Sequence, residues 1–351
     1  MGHDADLAEG NKMGRNVVAK IAFQAITKKF PGSDKPAVDA VTFAVPEGST
    51  CMLVGTSGAG KTTLLRMVNR LIEPTFGEII IDGKNVLEGD PIALRRHIGY
   101  VIQQIGLFPH MNVEENIRVT AEVAGGWTRE RLDERVEELL TLVGLAPAEY
   151  RKRFPRELSG GQQQRVGLAR ALATDPGILL MDEPFGALDD ITRTYMQDEL
   201  LRIQRNVRKT ILFVTHDMDE AFKLGDEIAV LRDGRLVQLG TPVDLLTHPV
   251  NEFVSQLVGA DNIMRQLEYL PVSGALDGEL STPRSDWDQV PCCPPDASLL
   301  TALLRLLETN APTLAVADDG SPPVGFITLA SITGEITRIR IQAKRLTASP
   351  A

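Results

Sequence analysis

The chain has 351 residues, 43% hydrophobic and 24% charged, with a formal net charge of −10. That length allows two domains and a large buried core, and the acidic balance argues against a general nucleic-acid binder. Three cysteines, with Cys292 and Cys293 adjacent, suit a reducing compartment better than a disulfide framework. There is neither a signal-peptide-like N-terminus nor a run of 18 apolar residues, so the expectation is a protein soluble by itself that meets a membrane only through a partner.

Residues 1–18 are polar and Gly/Asp-rich, which predicts disorder. Alternation at Ile21, Phe23 and Ala25 predicts a first strand from Ala19. Phe30 precedes the turn-rich Pro31-Gly32-Ser33-Asp34; an aromatic here can stack on a nucleotide base, although composition alone favours a core or edge role. Val41–Val45 alternates again and Pro46-Glu47-Gly48 turns. The apolar run Cys51–Val54 then leads into Gly55-Thr56-Ser57-Gly58-Ala59-Gly60-Lys61-Thr62-Thr63, and Leu64 onward repeats apolar residues at helical spacing. Strand, glycine-rich turn and helix are the context in which G-x-x-x-x-G-K-[ST] curls backbone N–H groups around phosphate oxygens. Lys61 can reach the outer phosphates and Thr62 can ligate Mg²⁺. The chain is therefore expected to bind a nucleoside triphosphate.

Gly77–Gly83 reads as a strand closed by an Asp-Gly turn, and Ile98–Ile102 as another, ending in Gln103-Gln104. Ile105 to Met111 is apolar and punctuated by Gly and Pro, the composition of a loop that is buried or waits for a partner. Residues 113–147 read as mostly helical. Ser159 reads as the N-cap of a helix over Gln162–Ala173. Gly160 and Gly161 at its start let an anion approach the backbone, a second candidate phosphate site, with a simple helix cap as the plainer alternative. Gly177–Pro184 is an apolar strand ending in Asp182 and Glu183. Burial on both faces implies a parallel sheet, whose C-terminal edge is where such sheets hold ligands. Asp182 can orient Mg²⁺ and its waters there, and Glu183 can take a proton from an attacking water. Thr210–Asp217 is a further buried strand carrying His216 to the same edge. Strands around Glu227–Leu231 and Arg235–Leu239 flank Asp233-Gly234, and the first domain closes near Gly240.

In this order the motifs of residues 19–260 resemble the ATP-binding cassette of ABC transporters. The resemblance implies an α/β fold: a phosphate-loop ATPase domain with a mostly parallel core sheet, an antiparallel β subdomain and a helical signature subdomain. It implies that Gly55, Thr56, Ser57, Gly58, Ala59, Gly60, Lys61, Thr62 and Thr63 cradle ATP, and that Phe30 stacks on its adenine. Thr62, Gln103 and Asp182 would hold Mg²⁺. Glu183 would be the catalytic base, with His216, Gln103 and Lys61 as catalytic partners. Ser159, Gly160, Gly161 and Gln162 would form the signature, and Gly186–Asp189 a D-loop, with Gly186 where many members have Ser. The family further implies a head-to-tail homodimer in which Ser159 and Gly161 of one chain complete the ATP site of the other. Integral-membrane permease subunits, and indirectly a substrate-binding protein, would be the partners, at the cytoplasmic face of the bacterial inner membrane.

The run Gln103–Pro109 is similar to importers of quaternary-amine osmoprotectants (glycine betaine, choline or carnitine). An amino-acid or other small-solute importer is the alternative; an exporter subunit or an ABC ATPase outside transport fits less of the chain. Residues 241–264 are expected to be a helical connector and 265–351 a second, smaller α/β unit. There Leu299, Leu300, Leu303, Leu304, Leu306 and Leu307 predict an apolar helix face, and 313–317 and 324–329 predict strands. This unit resembles one CBS motif, with 265–290 as an eroded first copy. The family's ribose-binding acid falls at Ser331, so a regulatory domain that does not bind nucleotide is expected; an appendage that only dimerises is the alternative. Arg338, Arg340, Lys344 and Arg345 near the end could bind anionic lipid in a salt-dependent way.

Overall fold

The structure, a computed structural model, describes residues 19–103, 106–186, 188–277, 290–318 and 321–347, with the backbone alone from 342 onward. Residues 1–18, expected to be disordered, lie outside it, as does part of the 265–290 segment.

Alternating sequence builds the first layer. β1 (Ala19–Lys28) pairs antiparallel with β2 (Val38–Pro46), and Phe23 stacks on Phe43 with ring centroids 4.5 Å apart. The alternation expected through Ala25 breaks: Ala25 takes φ +47° at a register shift and is exposed, so that Ile26 turns inward. A β-bulge re-aims the strand there. β3 (Thr50–Gly55) is buried along its whole length and feeds α1 (Lys61–Val68) through the glycine-rich turn. β4 (Phe76–Ile81) and the short β5 (Lys84–Asn85) form a hairpin about Asp82-Gly83 and complete an antiparallel sheet of order β2-β1-β4-β5.

After α2 (Pro91–Arg96) and β6 (Ile98–Val101) the chain leaves the sheets for a helical layer. It comprises α3 (Val113–Ala124), α4 (Arg129–Leu142), α5 (Pro147–Tyr150) and α6 (Gly160–Ala171). The buried Glu114 ties it together, meeting Arg118, Arg151 and Lys152 at 2.6–2.7 Å. Hydrogen bonds from Arg151 first, and then Lys152, hold its pKa down to about 2, against the opposing effect of burial.

β7 (Ile178–Asp182), α7 (Asp190–Val207), β8 (Thr210–Val214), α8 (Met218–Leu224), β9 (Glu227–Arg232) and β10 (Arg235–Gly240) return the chain to the core. The central sheet runs β10-β9-β3-β8-β7-β6, parallel throughout except for the β9–β10 hairpin. Val214 lies opposite both Leu53 and Asp182, so β3, β8 and β7 finish at one edge. That shared C-terminal edge positions the site.

The stretch expected to connect two domains is itself core. α9 (Pro242–Thr247) and α10 (Glu252–Val258) bury Leu245, Leu246, Val254 and Val258 with Phe213 and Phe222. The remainder, α11 (Ile263–Tyr269), β11 (Cys292–Cys293), α12 (Leu299–Thr309), β12 (Leu314–Val316), β13 (Gly325–Ile327) and α13 (Leu329–Thr347), gathers its own core around Leu270, Leu306, Ile327 and Ile332. Its small sheet pairs β11 parallel and β13 antiparallel to β12. Neither Cys292 nor Cys293 forms a disulfide. The six leucines expected on one face of α12 do not share it: Leu299 and Leu306 are buried, whereas Leu304 and Leu307 are exposed. Six leucines in nine positions at 100° per residue exceed the width of one buried stripe. Among the described residues no helix is long and apolar enough to cross a membrane.

Candidate nucleotide site

The turn after β3 can form only with glycine. Gly55 and Gly60 sit at φ +143° and +94°. A Cβ on Gly55 would lie 2.0 Å from the Leu231 carbonyl oxygen, and one on Gly60 would lie 2.3 Å from that of Ala37. The turn wraps a cavity of about 500 Å³ whose wall contains Ser57 through Thr63, Ala37, Glu183 and His216. No side chain caps the start of α1, leaving its first N–H groups directed at that space. Lys61 folds across the loop and donates to the carbonyls of Gly55 at 2.9 Å and Thr56 at 3.1 Å. Burial lowers its pKa, and the nearby carboxylates of Glu183 and Asp182 oppose that shift.

Two acids at the end of β7 face different partners. Asp182 is buried; its Oδ1 accepts the Thr62 hydroxyl at 2.9 Å, and Arg66 lies 3.6 Å from Oδ2. Glu183 leaves the strand at φ +45°, a conformation that costs about 1–3 kcal/mol in a residue other than glycine. Its N–H stays bonded to the Val214 carbonyl at 3.0 Å. The Glu183 Oε2 atom accepts from Gln103 Nε2 at 3.2 Å and lies 3.2 Å from His216 Nδ1. Residues just beyond β6, β7 and β8 therefore converge on one carboxylate oxygen at the rim of the cavity.

Other expected residues stand elsewhere. Phe30 is half-exposed, carries the Lys28 ammonium 5.3 Å above its ring and is not in the cavity wall. Gln103 donates its amide N–H to Glu183, and no hydrogen bond joins it to the Thr62–Asp182 pair among the described residues. Ser159, Gly160, Gly161, Gln162 and Asp189 do not line this chain's cavity. Ser159 and Gln162 form a reciprocal capping box on α6, at 3.3 and 2.9 Å. Asp189 caps α7 by accepting the Thr192 N–H and hydroxyl at 3.0 and 2.8 Å. Sequence reasoning missed Arg66 and Ala37. Arg66 was within reach of it, since it lies four residues after Thr62 on the same helical face.

A family model described as "ABC transporter" matches residues 38–186. The osmoprotectant import ATP-binding protein of Salmonella typhimurium is 46% identical over 310 residues, 88% of this chain and 78% of its own length. This chain belongs to the ABC transporter ATPases. A second member of the family, the glycine betaine/carnitine/choline transport ATP-binding protein of Bacillus subtilis, is 51% identical over 245 residues, 70% of this chain and 64% of its own. Among solved structures, a dimeric ATP-binding cassette in a post-hydrolysis state, bound to ADP and Pi, matches with a TM-score of 0.57 and 33% identity. That match covers 63% of this ABC ATPase and 98% of the other chain.

Proposed function

We propose that this ABC ATPase energises the import of a quaternary-amine osmoprotectant (glycine betaine, choline or carnitine) through a membrane permease, from the cytoplasmic face of the membrane. The observation that carries the hydrolytic part is the convergence of Gln103 and His216 on the Glu183 carboxylate beside the phosphate loop. The substrate class rests on the named specificities of the relatives at 45–51% identity.

Each residue then has a role set by its place. Ser57 through Thr63 surround the phosphates, and Lys61 exchanges two neutral backbone acceptors for the charged outer phosphates. Phe30, exposed outside the cavity wall, stacks on an adenine that extends beyond the phosphates. The Thr62 hydroxyl and Asp182 carboxylate offer the hard oxygen ligands that Mg²⁺ takes alongside water and phosphate, so the residues present fit that ion. When bound, Mg²⁺ neutralises charge on the phosphates. Glu183 takes the proton from the attacking water, while Gln103 and His216 hold its carboxylate in place. Ser159 and Gly161, which do not line their own chain's cavity, serve the site of a second copy in a head-to-tail dimer.

The Leu107–Met111 segment is the reading's contact with the permease. Buried Asn116 fixes it, accepting the Phe108 N–H at 2.7 Å and donating to the carbonyls of Phe108 and Met111 at 3.1 and 2.9 Å. Phe108 stays exposed at the lip of a groove with Ile92, Val119 and Val123 in its wall. The test is uptake of labelled glycine betaine by the ATPase reconstituted with its permease and binding protein. Uptake that depends on ATP and stops with Glu183→Gln supports the proposal; ATP hydrolysis unlinked to any quaternary amine removes the substrate class.

A further inference from the structure

Glu220 lies on the first turn of α8, 4% exposed, with no part in the site described above. A carboxylate this deep is expensive to bury unless its partners are well placed. Gln197 of α7, itself buried, donates to its Oε1 at 3.3 Å, and Thr215, just past the end of β8, shares the wall of a small cavity with it. Thr215 Oγ1 also accepts the Asp217 N–H at 3.0 Å, and the Asp217 carboxylate accepts the N–H groups of Asp219 and Glu220 at 2.9 and 3.3 Å. Thr215 and Asp217, on either side of His216, thus form the turn that caps the helix carrying Glu220, while the imidazole itself lies against Glu183. A small cavity of about 50 Å³ shares Glu183, Thr215, His216 and Glu220 in its wall, room for a water or two between the two acids. The charged groups facing Glu220 are Arg193 from α7, which favours its carboxylate, and Asp217, which disfavours it; burial outweighs both and raises its pKa.

We infer that Glu220 is a positioning residue for His216: held by Gln197, its carboxylate closes the small cavity behind the Thr215–Asp217 turn and so keeps the imidazole where it meets the Glu183 carboxylate. The inference rests on the ATPase reading above and adds to it the buried support of His216. Because Glu220 acts through another residue, its loss lowers turnover without weakening ATP binding.

The experiment measures steady-state ATPase activity of the reconstituted transporter for Glu220→Ala and Glu220→Gln, each in the wild-type and His216→Ala backgrounds. Glu220→Ala is expected to lower kcat about tenfold with the KM for ATP within about twofold. Glu220→Gln, which keeps acceptor and shape, restores most of that loss. In the His216→Ala background Glu220→Ala adds no further loss. An equal loss in both backgrounds, or a raised KM with unchanged kcat, overturns the inference. If His216→Ala itself turns over normally, the role of His216 falls and takes the inference with it. If His216→Ala is crippled and Glu220→Ala is not, only the inference falls. Should Glu220→Ala fail to fold, Gln197→Met removes the amide that holds the Glu220 carboxylate while leaving the Thr215–Asp217 turn intact, and is read by the same comparison.

Discussion

Gly161 passes Thr192 so closely that a Cβ on the glycine would meet the Thr192 Cγ2 at 2.7 Å. The Thr192 hydroxyl is held by Asp189 at 2.8 Å, so the methyl cannot swing clear without losing that bond. Gly161 therefore has a packing reason to be glycine inside one chain, apart from any contact with a phosphate. Gly161→Ala should lower thermal stability by the roughly 1–3 kcal/mol typical of overpacking. Adding Thr192→Ser, which deletes the methyl and keeps the hydroxyl, should restore the melting temperature. ATPase activity separates the two roles: if Gly161 also serves the partner's nucleotide, the double variant stays slow, whereas full recovery leaves packing as its whole role.

Glu183→Gln should bind ATP normally and hydrolyse it at least about a hundredfold more slowly, the scale of losing a general base. Near-normal turnover in the assembled transporter would remove Glu183 from that role. Lys61→Ala should fail earlier, at ATP binding, because it removes the cation placed across the phosphate loop. Unchanged ATP affinity by calorimetry would contradict the assignment.

What was legible in the sequence were polar residues at the ends of apolar strands. Thr62, Asp182, Glu183 and His216 could be read because uninterrupted burial of β3, β7 and β8 leaves the sheet edge as the place for a charge. Glu220 was not legible, because a glutamate on the first turn of a helix looks like a solvated end and only the packing of α7 against α8 buries it. Ala37 was equally hidden: a small residue in a loop enters the cavity wall through bonds such as its N–H to the Lys28 carbonyl at 2.7 Å. The bulge at Ala25 misled the period-two reading, since nothing in its composition marks a positive φ.

Phe108→Asp should assemble an intact nucleotide site yet break the link to transport. Its backbone is fixed by Asn116 and its ring is exposed, so the change alters a surface and not a core. A charge facing an apolar permease helix costs several kcal/mol if it is buried unpaired. ATPase activity of the isolated subunit should be unchanged while permease-stimulated activity and uptake fall at least about tenfold. Normal uptake would place the contact elsewhere.

Glu114 makes the helical layer acid-sensitive. Its pKa is depressed to about 2 by Arg151 and Lys152, whereas an unfolded glutamate titrates near about 4.3. The stabilisation is therefore complete above the unfolded value and disappears as pH falls toward 2. Glu114→Gln should lower stability at pH 7 by about 1.5–3 kcal/mol, the scale of charge-assisted hydrogen bonds, and flatten the loss of stability between about pH 4.5 and 2. Parallel denaturation curves across that window would show that the ion cluster contributes nothing.

The C-terminal unit, residues 265–351, is proposed to regulate the ATPase without binding an adenine nucleotide. Ser331 is engaged in capping α13: its Oγ accepts the Thr328 N–H at 2.9 Å, and the Thr328 hydroxyl accepts the Ser331 N–H at 3.1 Å. A ribose would find no acid at that position, a loss of about 1.5–3 kcal/mol for one charge-assisted acceptor. Along α13, Arg338 pairs with Glu335 at 2.7 Å, and Arg340, Lys344 and Arg345 add to the basic character of the helix. On a chain held beside a bilayer each such residue attracts anionic lipid by about 1 kcal/mol. That attraction weakens as salt shortens the screening length to about 8 Å at physiological ionic strength. Removing the end of α13 would be a poor test, because Ile336 and Ile339 belong to the core of this unit. Replacing Arg338, Arg340, Lys344 and Arg345 by Gln deletes the charge and leaves Ile336 and Ile339 in place. In vesicles containing anionic lipid, the wild-type ATPase rate should change with salt, and the rate of the fourfold variant should not. Identical salt responses would end the lipid-sensing idea, and nucleotide binding that is lost when Ser331 is replaced by a bulky residue would end the claim that this unit takes no adenine nucleotide.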